Sequence, residues 1–207
     1  MFGSFCKFLG LLAIGAMIYL PLQGATEAAG ARGGYIAVGG HSLVPYGWVD
    51  FCDRYKGECD GRKLVAEDVN LTPETMKIIK QVNTWVNQSI KPMSDMDHWG
   101  VVDQWDYPTD GYGDCEDYAL LKRRLLMDEG LPRQALLMTI VKDQNGEGHA
   151  ILTVKTNRGE YILDNLAEDV KPWTQVSYRF VKRQSQTDQN EWLDIGEPTA
   201  APLTVSR

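Results

Sequence analysis

The sequence predicts an α+β fold on three observations: two apolar patterns of helical period, each with its own start signal, and a later series of short apolar runs separated by turn residues. The chain has 207 residues, 43% hydrophobic and 24% charged, which supplies the core of one domain and excludes a disordered or repetitive protein.

Residues 1–30 stand apart. Lys7 gives a positive start, 9–20 is an apolar run of 12 residues, and Thr26-Glu27-Ala28 and Ala29-Gly30-Ala31 offer small-residue cleavage sites. Spanning a bilayer takes roughly 20 apolar residues, so a secretory signal peptide is expected, with an uncleaved anchor as the alternative. A periplasmic or secreted location follows. Losing Lys7 and Glu27 together leaves the net charge at -7, without the basic stripe that a nucleic-acid partner would require. A protein, peptide or cell-wall partner fits this charge better.

Residues 31–72 are rich in glycine and short apolar pieces and read as an irregular N-terminal arm. Within it Cys52 and Cys59 bracket a short loop that a disulfide could close in an oxidising compartment; the alternative is two free thiols. Thr72 and Pro73 then supply an N-cap and a first-turn proline, and Met76, Ile79, Val82, Val86 and Ile90 follow at helical spacing. This begins the main domain, expected over 73–183.

Residues 91–113 read as loop, broken by Pro92, Gly100, Pro108, Gly111 and Gly113. A structureless stretch of that length is usually functional in a compact domain. Trp99 and Trp105 either wall a substrate groove or plug the core edge. A helix is expected over 114–129, closed by Gly130 and Pro132, with Tyr118, Ala119, Leu121, Leu125 and Leu126 forming its apolar face. Strand-like runs follow at 135–142, 149–155 and 160–164, with a possible fourth at 176–181. Asn145-Gly146 and Asn157-Arg158-Gly159 join them as antiparallel hairpins. Residues 184–207 read as a polar C-terminal tail.

Cys115 sits where the Gly113-Asp114 turn runs into the second helix, and His149 and Asp164 follow downstream. The helix dipole favours a thiolate there, and an imidazole held by a carboxylate is the usual partner of a nucleophilic thiol. If Asn157-Arg158 is a two-residue turn, Asp164 lies opposite Ile151, whose same-face neighbour is His149. The chain has three histidines, and His41 and His98 both precede the cysteine. Singly, a buried thiol is commonly inert; the order and the helix-start position together point to a Cys-His-Asp triad.

Asp114, Glu116 and Asp117 oppose activation, because neighbouring negative charge raises a thiol pKa. Either a divalent cation, calcium for oxygen-only ligands, neutralises them, or they lie exposed at the helix start. A second calcium candidate is an EF-hand-like spacing of Asp95, Asp97, Asp103 and Asp106, with Gly100 and Val102 at their expected places.

The segments Gly-Asp-Cys-Glu-Asp-Tyr-Ala-Leu-Leu-Lys at 113–122, Gly-His-Ala-Ile-Leu at 148–152 and Tyr-Ile-Leu-Asp-Asn at 161–165 resemble the bacterial transglutaminase-like cysteine proteinases. Asp103-Gln104-Trp105-Asp106-Tyr107-Pro108 is similar to a segment that precedes the cysteine in that family. The resemblance covers 75–181 and implies a papain-like fold with Cys115, His149 and Asp164 as the triad. It also implies calcium bound by Asp114 and Glu116. The family includes periplasmic calcium-dependent proteases that release biofilm adhesins by cutting between alanines, under a membrane receptor for a cyclic dinucleotide. By that likeness the chain is expected to be an exported cysteine endopeptidase acting on a surface or periplasmic protein. Amidase or acyltransferase chemistry on peptidoglycan or amines, and a non-catalytic binding module, are the alternatives.

Overall fold

The structure, a computed structural model, describes residues 34–196. The expected signal peptide over 1–30 and the last eleven residues of the chain, 197–207, lie outside the described part. Among the described residues no helix is long and apolar enough to cross a membrane.

The helices expected from the sequence form where their signals lie. Before them come β1 (Val38–Ser42) and α1 (Tyr46–Arg54). The Thr72 hydroxyl accepts from the Thr75 N–H and starts α2 (Pro73–Ser89), which opens on its proline. Two short strands, β2 (Lys91–Pro92) and β3 (Tyr112–Gly113), pair in parallel and flank a single helical turn, α3 (Asp95–His98). Asp114 then caps α4 (Cys115–Asp128). Gly130 follows with φ of 85°, a left-handed conformation in which glycine avoids the cost borne by other residues.

Six further strands complete the chain: β4 (Leu136–Lys142), β5 (Gly148–Thr156), β6 (Gly159–Leu163), β7 (Lys171–Pro172), β8 (Arg179–Gln184) and β9 (Trp192–Ile195). With β1 they form an antiparallel sheet of order β1-β9-β8-β4-β5-β6-β7. The mixture of helices and antiparallel strands is α+β, as expected. On one face of the sheet, Met138, Ile140, Ala150, Leu152 and Leu163 share a core with Cys115, Ala119, Leu120 and Leu126 of α4. On the other, Val141, Ile151 and Ile162 pack with Trp173, Tyr178 and Phe180. Alternation along β5 therefore separates Ala150 and Leu152 from Ile151. Val86 of α2 and Ile90 just after it meet Tyr118 of α4 in a smaller cluster.

Four expectations need correction. In the expected arm over 31–72, the described residues 34–72 are not irregular throughout: β1 pairs with β9, and Trp48 and Phe51 of α1 are buried core. Nor is 184–207 only a polar tail, because β9 carries the buried Trp192 into the sheet. The fourth strand falls at Arg179–Gln184 rather than 176–181, and it pairs with β4 and β9. The fourth concerns Trp105, which is fully buried and lies edge-on to Trp48 and Trp192, so it plugs the core rather than lining a groove. Gly47 makes room for it: a β-carbon there would fall 2.2 Å from the indole. The polar look of these flanking segments hid a few large aromatics whose burial outweighs their neighbours.

Cys52 and Cys59 are joined by a disulfide at a sequence separation of 7. It ties α1 to the turn that follows. Replacing both with serine is expected to cost about 2 kcal/mol, the loop-closure value for so short a ring, and to lower Tm by several degrees in a thermal melt. An unchanged Tm would mean that the loop is held by its other contacts.

Lys122 of α4 is fully buried, and its ammonium has no hydrogen-bond partner among the described residues. Burial pulls its pKa from 10.5 down to about 7, against a smaller upward pull from Asp164. Between about 7 and 10.5 the unfolded chain therefore holds this proton while the folded chain releases it. The unfolding free energy of the native protein relative to Lys122→Met should rise across that window in denaturant titrations. A difference that stays flat with pH would refute the shift.

Candidate active site

The parallel pairing of β2 with β3 brings α3 against the start of α4. There the Asp114 N–H donates to Asp117 Oδ2 at 3.3 Å, and Asp117 Oδ1 accepts from the Asp106 N–H at 2.6 Å. The helix start is thereby tied to the preceding loop. Gly113 permits this, since a β-carbon there would lie 2.7 Å from the Asp117 carboxylate. Asp114 Oδ2 accepts from the Asp95 N–H at 3.2 Å, and Asp95 Oδ2 accepts from the Gln104 N–H.

Asp95, Asp114, Glu116 and Asp117 are all buried. Ligand-capable atoms of Asp95, Asp103 and Glu116, and of Asp95, Asp114 and Asp117, lie within 4.8 Å of one another in each group. Asp114 Oδ1 and Glu116 Oε1 have no hydrogen-bond partner among the described residues. Burial, with each carboxylate repelling the next, raises Asp114 to about 7 and lifts Glu116 and Asp117 well above the usual carboxylate range. A dry, oxygen-only cluster with unpaired acceptors fits a hard divalent cation such as calcium. The two calcium candidates in the sequence thus share one place, but the EF-hand spacing itself does not hold. Asp97 instead bonds the Ser94 hydroxyl at 2.8 Å, and Asp106 pairs with Arg54 and Tyr55.

Register delivers the other two residues. Thr156 pairs with Gly159 and Leu152 with Leu163, which puts Asp164 one step past β6, beside Ile151. His149 Nε2 then lies 2.9 Å from Asp164 Oδ1. Asp164 also accepts from the Leu166 N–H at 3.0 Å and from the Tyr178 hydroxyl at 2.6 Å. Burial would raise Asp164, but these three donors and the charge of His149 hold it below its ordinary value. Asn87 on α2 fixes the same turn by donating to the Asp164 carbonyl at 2.9 Å.

Cys115 Sγ accepts from the Ala150 N–H at 3.3 Å, which seats the sulfur against the backbone next to His149. The thiol itself donates to Glu116 Oε2 at 3.2 Å, while His149 Nδ1 is buried with no hydrogen-bond partner. The expected thiolate-imidazolium pair is therefore not made. Burial, and then the charge of Asp114, pushes the thiol up to about 12. Cys115, His149 and Asp164 are each at most 4% exposed, so a peptide reaches the sulfur only when the covering groups move. Trp99 is 48% exposed and stacked on His98, and its N–H donates to the Asp95 carbonyl.

Sequence reasoning did not single out Tyr178, which has no motif of its own, or the meeting of Asp95 and Asp103 with Glu116. Only the parallel pairing of two two-residue strands makes that meeting, and strands so short leave no periodic signal.

Solved structures of LapG from Legionella pneumophila share this architecture. The calcium-bound form is 23% identical with a TM-score of 0.51, over 64% of this chain and 77% of that one. The EGTA-treated form is 23% identical with a TM-score of 0.49, over 61% and 73%. The likeness of the calcium-bound form establishes a shared transglutaminase-like fold. No curated protein matches the chain significantly. The family described as bacterial transglutaminase-like cysteine proteinase, BTLCP, matches residues 38–200. With most of its length inside that match, the chain belongs to this family of cysteine peptidases.

Proposed function

We propose that the chain is an exported, calcium-dependent cysteine endopeptidase that cuts a periplasmic or cell-surface protein using Cys115, His149 and Asp164. The observation that carries this reading is the 2.9 Å bond from His149 Nε2 to Asp164, which leaves Nδ1 as the basic nitrogen beside the strand backbone that holds the Cys115 sulfur.

In this reading the Cys115 proton passes from sulfur to His149 Nδ1, and the thiolate attacks the scissile carbonyl. Asp164 keeps the Nε2 proton in place and stabilises the imidazolium. As the tetrahedral intermediate collapses, the carbon–nitrogen bond breaks and Nδ1–H protonates the leaving amine, giving a thioester on Cys115. Water then gives a proton to Nδ1 and its oxygen attacks the thioester. The acid is released, and sulfur recovers the proton. An amine in place of water would give acyl transfer by the same steps.

Asp95, Asp103, Asp114 and Glu116 would hold calcium, with Asp117 alongside. The ion would supply positive charge beside the thiol, cancelling the carboxylates that oppose its ionisation. The calcium-bound form of LapG supports calcium binding here. The substrate class suggested by the family resemblance is a surface adhesin, with a membrane-bound regulator. Exposed Trp99, whose N–H donates to the Asp95 carbonyl, remains a candidate groove residue.

Cys115→Ala should abolish cleavage, and His149→Ala should lower it by at least a thousandfold. Mass spectrometry of periplasmic and surface proteins should find new termini that depend on Cys115; the same termini with Cys115→Ala would refute the nucleophile. Chelation should remove activity and lower Tm, and calcium should restore both. At a hundred times its Kd the ion adds about 2.7 kcal/mol of stability by linkage. Glu116→Gln and Asp114→Asn should flatten that response in a calcium-titrated melt. A Tm indifferent to calcium in the native protein would remove the metal from the proposal.

A further inference from the structure

Asp164 is held by more than the histidine. After β7 the chain makes a short turn over Trp173–Gln175, then runs through Val176 and Ser177 to Tyr178 before entering β8. Tyr178 is half-buried, and its hydroxyl donates to Asp164 Oδ2 at 2.6 Å. The other oxygen, Oδ1, takes the His149 Nε2–H at 2.9 Å and the Leu166 N–H at 3.0 Å. Rings of Tyr178 and His149 lie 5.4 Å apart at 48°. One tyrosine thus touches both the carboxylate and the imidazole of the pair.

We infer that Tyr178 is a positioning residue: its hydroxyl locks the Asp164 carboxylate about its terminal torsion, and through it fixes the orientation of the His149 ring. The inference rests on the triad reading above. Carboxylate torsions are broad and roughly two-fold, so a carboxylate anchored at one oxygen can swing about that contact. Anchoring both oxygens removes the swing, and hydrogen bonds to an ionised acceptor are the stronger kind. Packing alone would not require the hydroxyl, because Phe180 and Trp173 serve the same cluster without one. The tyrosine also borders a cleft of about 380 Å³ lined by Asp164, Leu166, Val176 and Lys171. The lock therefore stands at the solvent side of the buried triad.

Tyr178→Phe keeps the ring against His149 and deletes only the lock. On a quenched fluorescent peptide with a central Ala-Ala bond, in calcium, kcat should fall roughly tenfold with KM within about twofold, the loss expected for one hydrogen bond to a charged group. In an Asp164→Ala background the same change should cause no further loss, since nothing remains to be held. Wild-type kcat in Tyr178→Phe, or an equal loss in both backgrounds, would overturn the assignment. Without any substrate, the His149 Nε2–H in nitrogen-edited NMR should shift and exchange faster in Tyr178→Phe; an unchanged resonance also overturns it. Cys115→Ala is assayed alongside. Activity in that variant sinks the triad reading, whereas an inactive Cys115→Ala beside a wild-type-like Tyr178→Phe sinks only the lock.

Discussion

Asp95, Asp114, Glu116 and Asp117 are buried together where α4 begins, and among the described residues none of them is ion-paired to lysine or arginine. Two like charges 4 Å apart repel by about 4 kcal/mol even at an effective dielectric of 20, so the cluster cannot remain fully ionised and alone. Protons or a cation must share it. The start of α4 carries Cys115, the proposed nucleophile, and its geometry is set through Asp114 and Asp117, which bond to the α3 turn and to the Asp106 backbone. Whatever neutralises the cluster therefore also decides how firmly Cys115 is placed. Structure and reactivity depend on the same charge balance.

The sheet supplies the opposite half with little adjustment. His149 opens β5 and Asp164 follows β6, so an ordinary antiparallel register with a tight turn at Asn157-Arg158 brings them together. Side chains alternate along β5, so one strand offers Ala150 to the α4 core and its neighbours to the other face. The Ala150 N–H, near the start of the strand and beyond the end of β6, is free of the ladder on that side and meets the Cys115 sulfur. The proposed catalytic groups from the helix and the sheet thus converge at a place where backbone pairing stops.

Much of this was legible because it is local. Thr72-Pro73, the Gly113-Asp114 turn and Gly130 mark helix ends through capping chemistry, and the hairpin turn carries the register that joins His149 to Asp164. What stayed hidden depends on distant contacts between weakly patterned segments. Trp105 and Trp192 sit among polar residues, yet burying each large ring against the other places one in the core and the other in the sheet. Asp95 to Asp106 carried an EF-hand-like spacing, but α3 directs Asp95 toward α4 while Asp97 and Asp106 bond elsewhere. Spacing in a loop fixes no direction, whereas spacing in a helix or strand does. Nothing in the sequence pattern marks Lys122 for burial; only the packing of the helix encloses it.

Glu116 links the two halves of the site. Its Oε2 accepts the Cys115 thiol, while its Oε1 lies buried without a partner in the carboxylate cluster. One side chain thus faces the nucleophile with one oxygen and the candidate cation site with the other. The thiol donates to Glu116, and among the described residues His149 Nδ1 has no hydrogen-bond partner. Under the proposed calcium dependence, a cation held by Glu116 would compete with that thiol contact. The acidic residues around Cys115 need not then be read as a flaw in the design of the nucleophile. On that proposal they would place its restraint and its release on the same carboxylate, so that a thiol held by Glu116 and a thiol available to His149 would differ by what the cluster binds.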